Sequence, residues 1–408
     1  MSLTKASYSM ITGAPVNVKD FGATGDGTTD DTAAIQAAIT YCTNLSNRRQ
    51  TLYFPANNAA AYYKTTAPLV VNGRLNIVGD GEFTTTIFAV GLTAGQFILD
   101  FDNLAADNIE FGGVSKITLR SNVALPTAIR LKNASYWTFK NVQLSTLTTG
   151  IYITGTRCFS NFFEQVTGSV ISSYTVQMDS FTGGGQFVFN GCTFTGSDGF
   201  YITSTAATDG LSFFGCNFEQ CVVTDILVLG TIGGLTISGC RSEGLDGATS
   251  FKLNPVGANY LNGVSITGCT WSTDFGNGYA VDLSGTVKGF SITGNYAAYI
   301  GLLGFVLLNG GGEAGVISGN YCENSPVDKI VSVPRAGVLS FSNYNSSGAM
   351  TDYNGLIVEG RAAAAPATGT YAVGSILYNT APASAGFVGF VCTVAGTPGT
   401  WRTFGLIS

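Results

Sequence analysis

The 408-residue chain contains no histidine. That absence excludes Ser-His-Asp and Cys-His triads and histidine general bases together, so any hydrolytic chemistry falls to carboxylates, Tyr, Lys or Arg. Charge is scarce too: Asp, Glu, Lys and Arg make up 11% of the residues and leave a net charge of −6. An acidic chain argues against nucleic acid as the main partner. No apolar run reaches membrane-spanning length, so no membrane insertion is expected. Residues 1–10 carry one Lys but no apolar core, unlike a signal peptide. The nine cysteines form no Cys-x-x-Cys pair, and with no histidine a zinc site is not expected. Gly183–Gly185 and Gly310–Gly312 lack the following Lys-Ser/Thr of a phosphate loop. No metal and no cofactor is expected.

What is present is a repeat. Phe189–Phe194 reads FNGCTF, Phe213–Phe218 reads FFGCNF and Ile237–Ser242 reads ISGCRS. Ile266–Trp271 (ITGCTW), Ile292–Tyr296 (ITGNY) and Ile317–Tyr321 (ISGNY) continue it. The register runs Cys192, Cys216, Cys240, Cys269, Asn295, Asn320, in steps of 24, 24, 29, 26 and 25. Looser copies extend it back to Val166, Val142 and Ile117. A fixed period in this range signals a solenoid, and the units are too short for propeller blades.

Within a unit the apolar residues alternate, as in half-buried strands: Leu235 and Ile237, Val264 and Ile266, Phe290 and Ile292 face one way. After the glycine the parity slips by one, so each unit must bend there, and glycine tolerates such a corner. Parallel coils stacked ~4.8 Å apart would place like residues over like. The predicted fold class is all-β, a right-handed parallel β-helix with an N-terminal capping helix and a small C-terminal β domain. The stacked cysteines read as reduced core thiols that fold in a reducing cytosol. Inward Asn residues at the same position can hydrogen-bond the backbone. Trp137 and Trp271 fall at inward positions and read as core.

Val16–Cys42 reads VNVKDFGATGDGTTDDTAAIQAAITYC. The pattern predicts a strand over Val16–Val18, a Gly-rich loop, and a helix capped by Asp30, Asp31 and Thr32, with Ala34, Ile35, Ala38 and Ile39 as its apolar stripe. These residues, with Ile77–Gly81 and Thr85–Ile87, resemble the signature of the pectate-lyase-like superfamily of right-handed β-helices. The Gly-His-Gly and Asp-Pro-His motifs of its polygalacturonases and alginate epimerases need histidine and are absent. Tyr8–Ile11 and Gly13–Ala14 before Val16 resemble the lead-in of bacteriophage tailspikes. Gly374–Thr380, Gly389–Cys392 and Gly396–Arg402 resemble the small β-domains that end many phage tail proteins.

The expected organisation is a lead-in over 1–15, a capping strand-loop-helix and first coil over 16–68, a β-helix over 69–360, and a C-terminal β domain over 361–408. Arg361–Pro366 reads as a linker or short connecting segment. About 40 residues cannot hold a sound core alone, so trimerisation is expected, and the tailspike resemblance implies the same homotrimer. It also implies attachment to other phage tail proteins through a very short N-terminus or another protein, a place in the virion, and synthesis in the host cytoplasm.

Outward positions beside the corner define a candidate face: Asn217 and Glu219, then Arg241 and Glu243, then Thr270 and Ser272, then Tyr296, Tyr321 and Glu323. Glu219 and Glu243 occupy one position on adjacent coils, where two carboxylates couple and one pKa should rise. That is the arrangement glycoside hydrolysis needs. The catalytic candidates are Glu219, Glu243 and Asp225. The substrate-binding candidates are Arg241, Asn217, Tyr296 and Tyr321. Glu164 is a runner-up, and Asp179, Asp198, Asp209 and Asp246 are weaker. Arg241 neutralising both Glu residues is the bland alternative.

Outward Ser, Thr and Asn suit a carbohydrate-facing surface. With the resemblance, they imply a tailspike that binds a bacterial surface polysaccharide, capsule or O-antigen, and depolymerises it by carboxylate-based endoglycosidase hydrolysis. A non-catalytic receptor-binding protein of the same fold and a polysaccharide lyase are the alternatives.

Overall fold

The computed structural model describes residues 14–44, 50–56, 62–102, 109–182, 184–243, 249–272, 278–298, 304–309, 312–323, 338–341, 343–345, 348–349, 360–368, 371 and 373–408. The lead-in motif at Tyr8–Ile11, and Asp246, lie outside the described residues.

The chain folds as a parallel β-helix. Strands from Val16–Asn17 to Gly348–Ala349 join one continuous sheet, and a separate four-stranded sheet spans Gly360–Leu406. Each coil lies in register on the next. Leu211 pairs with Leu235, Leu235 with Val264 and Val264 with Phe290. The pairs Phe214–Ser238 and Asn217–Arg241 set Cys216 over Cys240, the stacking the repeat predicts. The looser copies belong to the same row, since Ile117 pairs with Val142 and Val142 with Val166.

The corner glycines have the backbone their position requires. Gly191, Gly215, Gly239, Gly268, Gly294 and Gly319 all hold φ between +56° and +65°. On the earlier coils the same corner is made by Lys116, Asn141 and Gln165, at φ +55°, +53° and +53°. Residues with a Cβ hold this conformation at some cost, so on these coils the corner persists without the glycine that marks it downstream.

Aromatic side chains fill the interior. Phe139, Phe163, Phe189 and Phe213 stack in sequence with ring centroids 5.0, 4.5 and 5.2 Å apart. Trp271 is buried in the row of Phe194, Phe218 and Ser242, and Trp137 in the row of Asn161, Phe187 and Leu211. Both are core, as expected.

The inward corner row forms a ladder. The Cys192, Cys216, Cys240 and Cys269 thiols point at the carbonyls of Phe163, Phe189, Phe213 and Ile237, at 3.4 to 3.7 Å. Asn295 and Asn320 donate through Nδ2 to the equivalent carbonyls of Ile266 and Ile292, at 3.1 and 3.0 Å. Asn343 extends the ladder by a further coil, donating to Ile317 O at 3.1 Å. All nine cysteines are free and buried, and burial pushes the Cys42 and Cys322 thiols up to about 12.

At the N-terminal end the strand covers only Val16–Asn17, because Val18–Phe21 turns as a 3-10 helix. The capping helix spans Thr32–Asn44 and buries Ile35, Ala38, Ile39 and Cys42. Asp30 Oδ1 accepts from Thr32 N at 3.0 Å, and Asp31 accepts from Thr24 N and Gly25 N at 2.7 and 3.0 Å. These carboxylates hold the loop and the helix start. At the other end Arg361 and Ala362 are not linker. They belong to the strand Gly360–Ala362, which pairs with Leu377–Asn379.

Candidate functional site

One outer wall presents two parallel rows of side chains. The first runs Gln143, Thr167, Thr193, Asn217, Arg241, Thr270, Tyr296, Tyr321 and Tyr344, each paired with the next coil's residue. The second, two residues further along, includes Ser145 paired with Ser169 and Glu219 paired with Glu243. The structure therefore brings together Asn217, Glu219, Arg241 and Glu243, and continues their wall to Tyr296 and Tyr321.

Each carboxylate has a partner. Arg241 forms an ion pair with Glu243, and Asn217 Nδ2 donates to Glu219 Oε1. The bland alternative is half met, since Arg241 engages Glu243 directly. The Asn217 Oδ1 atom is buried without a hydrogen-bond partner among the described residues. Tyr296 and Tyr321 stack with centroids 5.9 Å apart, tilted by 6°. The Tyr296 hydroxyl donates to Glu323 Oε2, which holds the phenol pKa above its ordinary value.

Asp225 does not join this face, which corrects its sequence-based assignment. The strand Asn217–Val228 turns a corner after Glu219, and Asp225 points inward at 0% exposure. Its Oδ2 accepts from Ser242 Oγ at 2.5 Å and from Ser250 Oγ, which in turn accepts from Trp271 Nε1 at 2.8 Å. Burial raises its pKa to about 7, against hydrogen bonds from Ser242 and Ser250. A carboxyl sealed inside the coil cannot touch a substrate on the outside.

The runners-up are also separate. Glu164 pairs with Lys140 at 2.8 Å, and Asp209 is exposed at a bend. Asp179 accepts from Thr203, Thr205 and Tyr152 hydroxyls at 2.8, 3.0 and 3.1 Å. Burial would raise its pKa, but those hydrogen bonds outweigh it and lower it. Burial raises Asp198, whose carboxylate accepts from Thr224 Oγ1.

Sequence reasoning missed the groove beside Glu219. It has a volume of about 720 Å³ and crosses three coils, lined by Thr167–Ser172, Thr193, Thr195–Ser197, Glu219, Gln220 and Val222. It forms at the second corner of the coil, where Thr146, Val170, Gly196 and Gln220 hold φ of +56°, +54°, +120° and +53°. A β-branched residue at positive φ is a genuine outlier, and strain of this kind clusters at ligand sites. Only Gly196 announces this corner in the sequence. Tyr344 did leave a signal, since Asn343–Tyr344 repeats Asn320–Tyr321. Among the described residues no group of three or more Cys, Asp or Glu side chains is placed to hold a metal ion.

A stacked parallel coil with a polar outer wall and a shallow groove beside paired carboxylates defines a class of β-helix proteins. The family described as rhamnogalacturonase A/epimerase, pectate lyase-like, matches residues 15–244, and the chain belongs to it. It is 28% identical over 145 residues to the tail spike protein of Shigella phage Sf6, a match covering 34% of this chain and 23% of that one. Among solved structures it resembles the Dettilon tailspike protein, with TM-score 0.62 and 16% identity over 83% of this chain and 68% of that one. It also resembles PfbA, a surface adhesin of Streptococcus pneumoniae, with TM-score 0.61 and 15% identity over 96% and 100% of the two chains. At these identities the two structures share the fold.

Proposed function

We propose that the chain is a phage tailspike that binds a bacterial surface polysaccharide along this wall and hydrolyses it with Glu219 and Glu243. The observation that carries the reading is the in-register pair Glu219–Glu243 standing next to a groove lined by hydroxyls. One carboxyl would protonate the leaving oxygen while the other attacks the sugar or activates water, the division of roles glycoside hydrolysis requires. Arg241 and Asn217 would orient the pair and contact sugar hydroxyls. Tyr296 and Tyr321 would support the chain further along the wall. The likeness to the Shigella phage tail spike supports the tailspike role.

Binding without cleavage is the second reading. It is favoured by the Arg241–Glu243 ion pair, which a purely structural ladder would also make. A lyase would need Arg241 free to act as a base, and the ion pair disfavours that.

Incubation with purified capsule or O-antigen from host cells separates these. Hydrolysis yields reducing ends alone, a lyase adds unsaturated-uronate absorbance, and an adhesin gives binding with neither. Under the first reading Glu219→Gln and Glu243→Gln each lower turnover by roughly 10²- to 10⁴-fold with folding unchanged. Full turnover in both variants would remove this pair from the mechanism.

The assembly we propose is a homotrimer, carried in the virion and attached through other tail proteins. It is supported by the small C-terminal sheet, which buries Leu377, Phe390 and Cys392 yet leaves Val394 and Leu406 exposed.

A further inference from the structure

The groove beside Glu219 has a chemistry of its own. Its lining offers the hydroxyls of Thr167, Ser169, Ser172, Thr193 and Ser197, and Glu219 is the one charged side chain among its described lining residues. Arg241, on the adjoining row, is already engaged with Glu243. A carboxylate on an incoming sugar would meet Glu219 with no cation among the groove's described lining residues to offset it, and like charges placed together are costly.

The rim is apolar. Val170 on the first coil is 70% exposed and Val222 on the third is 71% exposed. Both side chains stand exposed at the groove's edge, and Val170 holds its place at φ +54° despite its branched Cβ. A glycine or asparagine would make that corner with less strain.

We propose that this groove selects an uncharged glycan whose sugars carry methyl groups, as 6-deoxy or N-acetyl substituents, and rejects uronate-rich polymers. The hydroxyl floor takes the sugar's polar edge, and Val170 and Val222 take the methyl. The inference rests on the polysaccharide-binding reading above and adds the substrate class to it.

The test uses the full chain on an array of purified bacterial O-polysaccharides and capsules of known composition. The expected result is binding to neutral, methyl-bearing polymers, with 6-deoxy and N-acetyl members on separate spots to distinguish the two sources. On the tightest polymer, Val222→Ser should weaken binding about 4-fold or more, the loss expected when about one CH₂ group's worth of apolar contact is removed. Val170→Gly, which also relaxes the corner and so keeps the fold, should do the same. Glu219→Gln should raise the affinity for uronate polymers. Preferential binding of uronate-rich or methyl-free polymers by the unsubstituted chain would overturn the inference and leave the polysaccharide reading standing. Unchanged affinity in both valine variants would overturn it as well. Binding to no polymer on the array would overturn the reading itself, and the inference with it.

Discussion

A thiol and a carboxamide perform one task at the inward corner. Cys269 and Asn295 each reach the carbonyl of the coil beneath, at 3.6 and 3.1 Å, and Asn295 Oδ1 also accepts the backbone N–H of Cys269 at 2.9 Å. Asp225 is the other interior polar residue with a consequence. Its pKa, near 3.9 in an unfolded chain, rises to about 7 in the folded one through burial. The folded state therefore holds this proton more tightly. The stabilisation is complete below pH ~4 and is lost as pH rises toward 7. Cys221, the titratable neighbour that donates to it, has its own pKa raised by burial and by Asp225. Urea midpoints measured from pH 4 to 8 should fall across that window and flatten in Asp225→Asn. An unchanged slope in the variant would show that other groups carry the dependence.

The ladder as a structural element should be strongest where it is made of Asn. Asn320 donates to Ile292 O and Asn343 Oδ1, and accepts from Asn295 N and Asn295 Nδ2. Removing it strands several buried partners, each worth about 1–3 kcal/mol. Asn320→Ala should lower stability by about 3 kcal/mol or more, while Cys216→Ala, which loses a small buried side chain and a weak thiol donor, should cost about 1 kcal/mol. Chemical denaturation of the two variants side by side checks the order, and equal losses would contradict it. The wall's second corner illustrates where local pattern runs out. Gly215, Gly239 and Gly268 advertise the first corner, but Val170 and Gln220 make the second without any turn residue. Their left-handed backbone is imposed by the coils above and below, not by their own preference.

For the assembled particle, light scattering should give a mass of three chains of 42.4 kDa that persists on dilution. A stable monomer at micromolar concentration would count against the homotrimer. Leu406→Glu alters a side chain that is 84% exposed in the single chain. It should weaken a trimer held by the C-terminal sheet while leaving the β-helix circular dichroism intact. Loss of the β-helix signal along with the trimer would mean instead that the two units fold together.

The repeat made the coil, its stacking register and the Glu219–Glu243 pairing readable in advance, because in a parallel solenoid neighbours in space sit at a fixed sequence offset. The same logic put Trp137 and Trp271 in the core and Tyr296 beside Tyr321. It failed for Asp225, since six residues beyond Glu219 the chain has rounded a corner and the alternation no longer says which side is out. It failed for the groove, because a concavity depends on how three successive coils bend together. Periodicity alone determined which residues stack, as register is a one-dimensional property. Only tertiary structure decided which residues face solvent past the second corner, and where the wall is hollow, because both follow from backbone angles that the packing of neighbouring coils enforces.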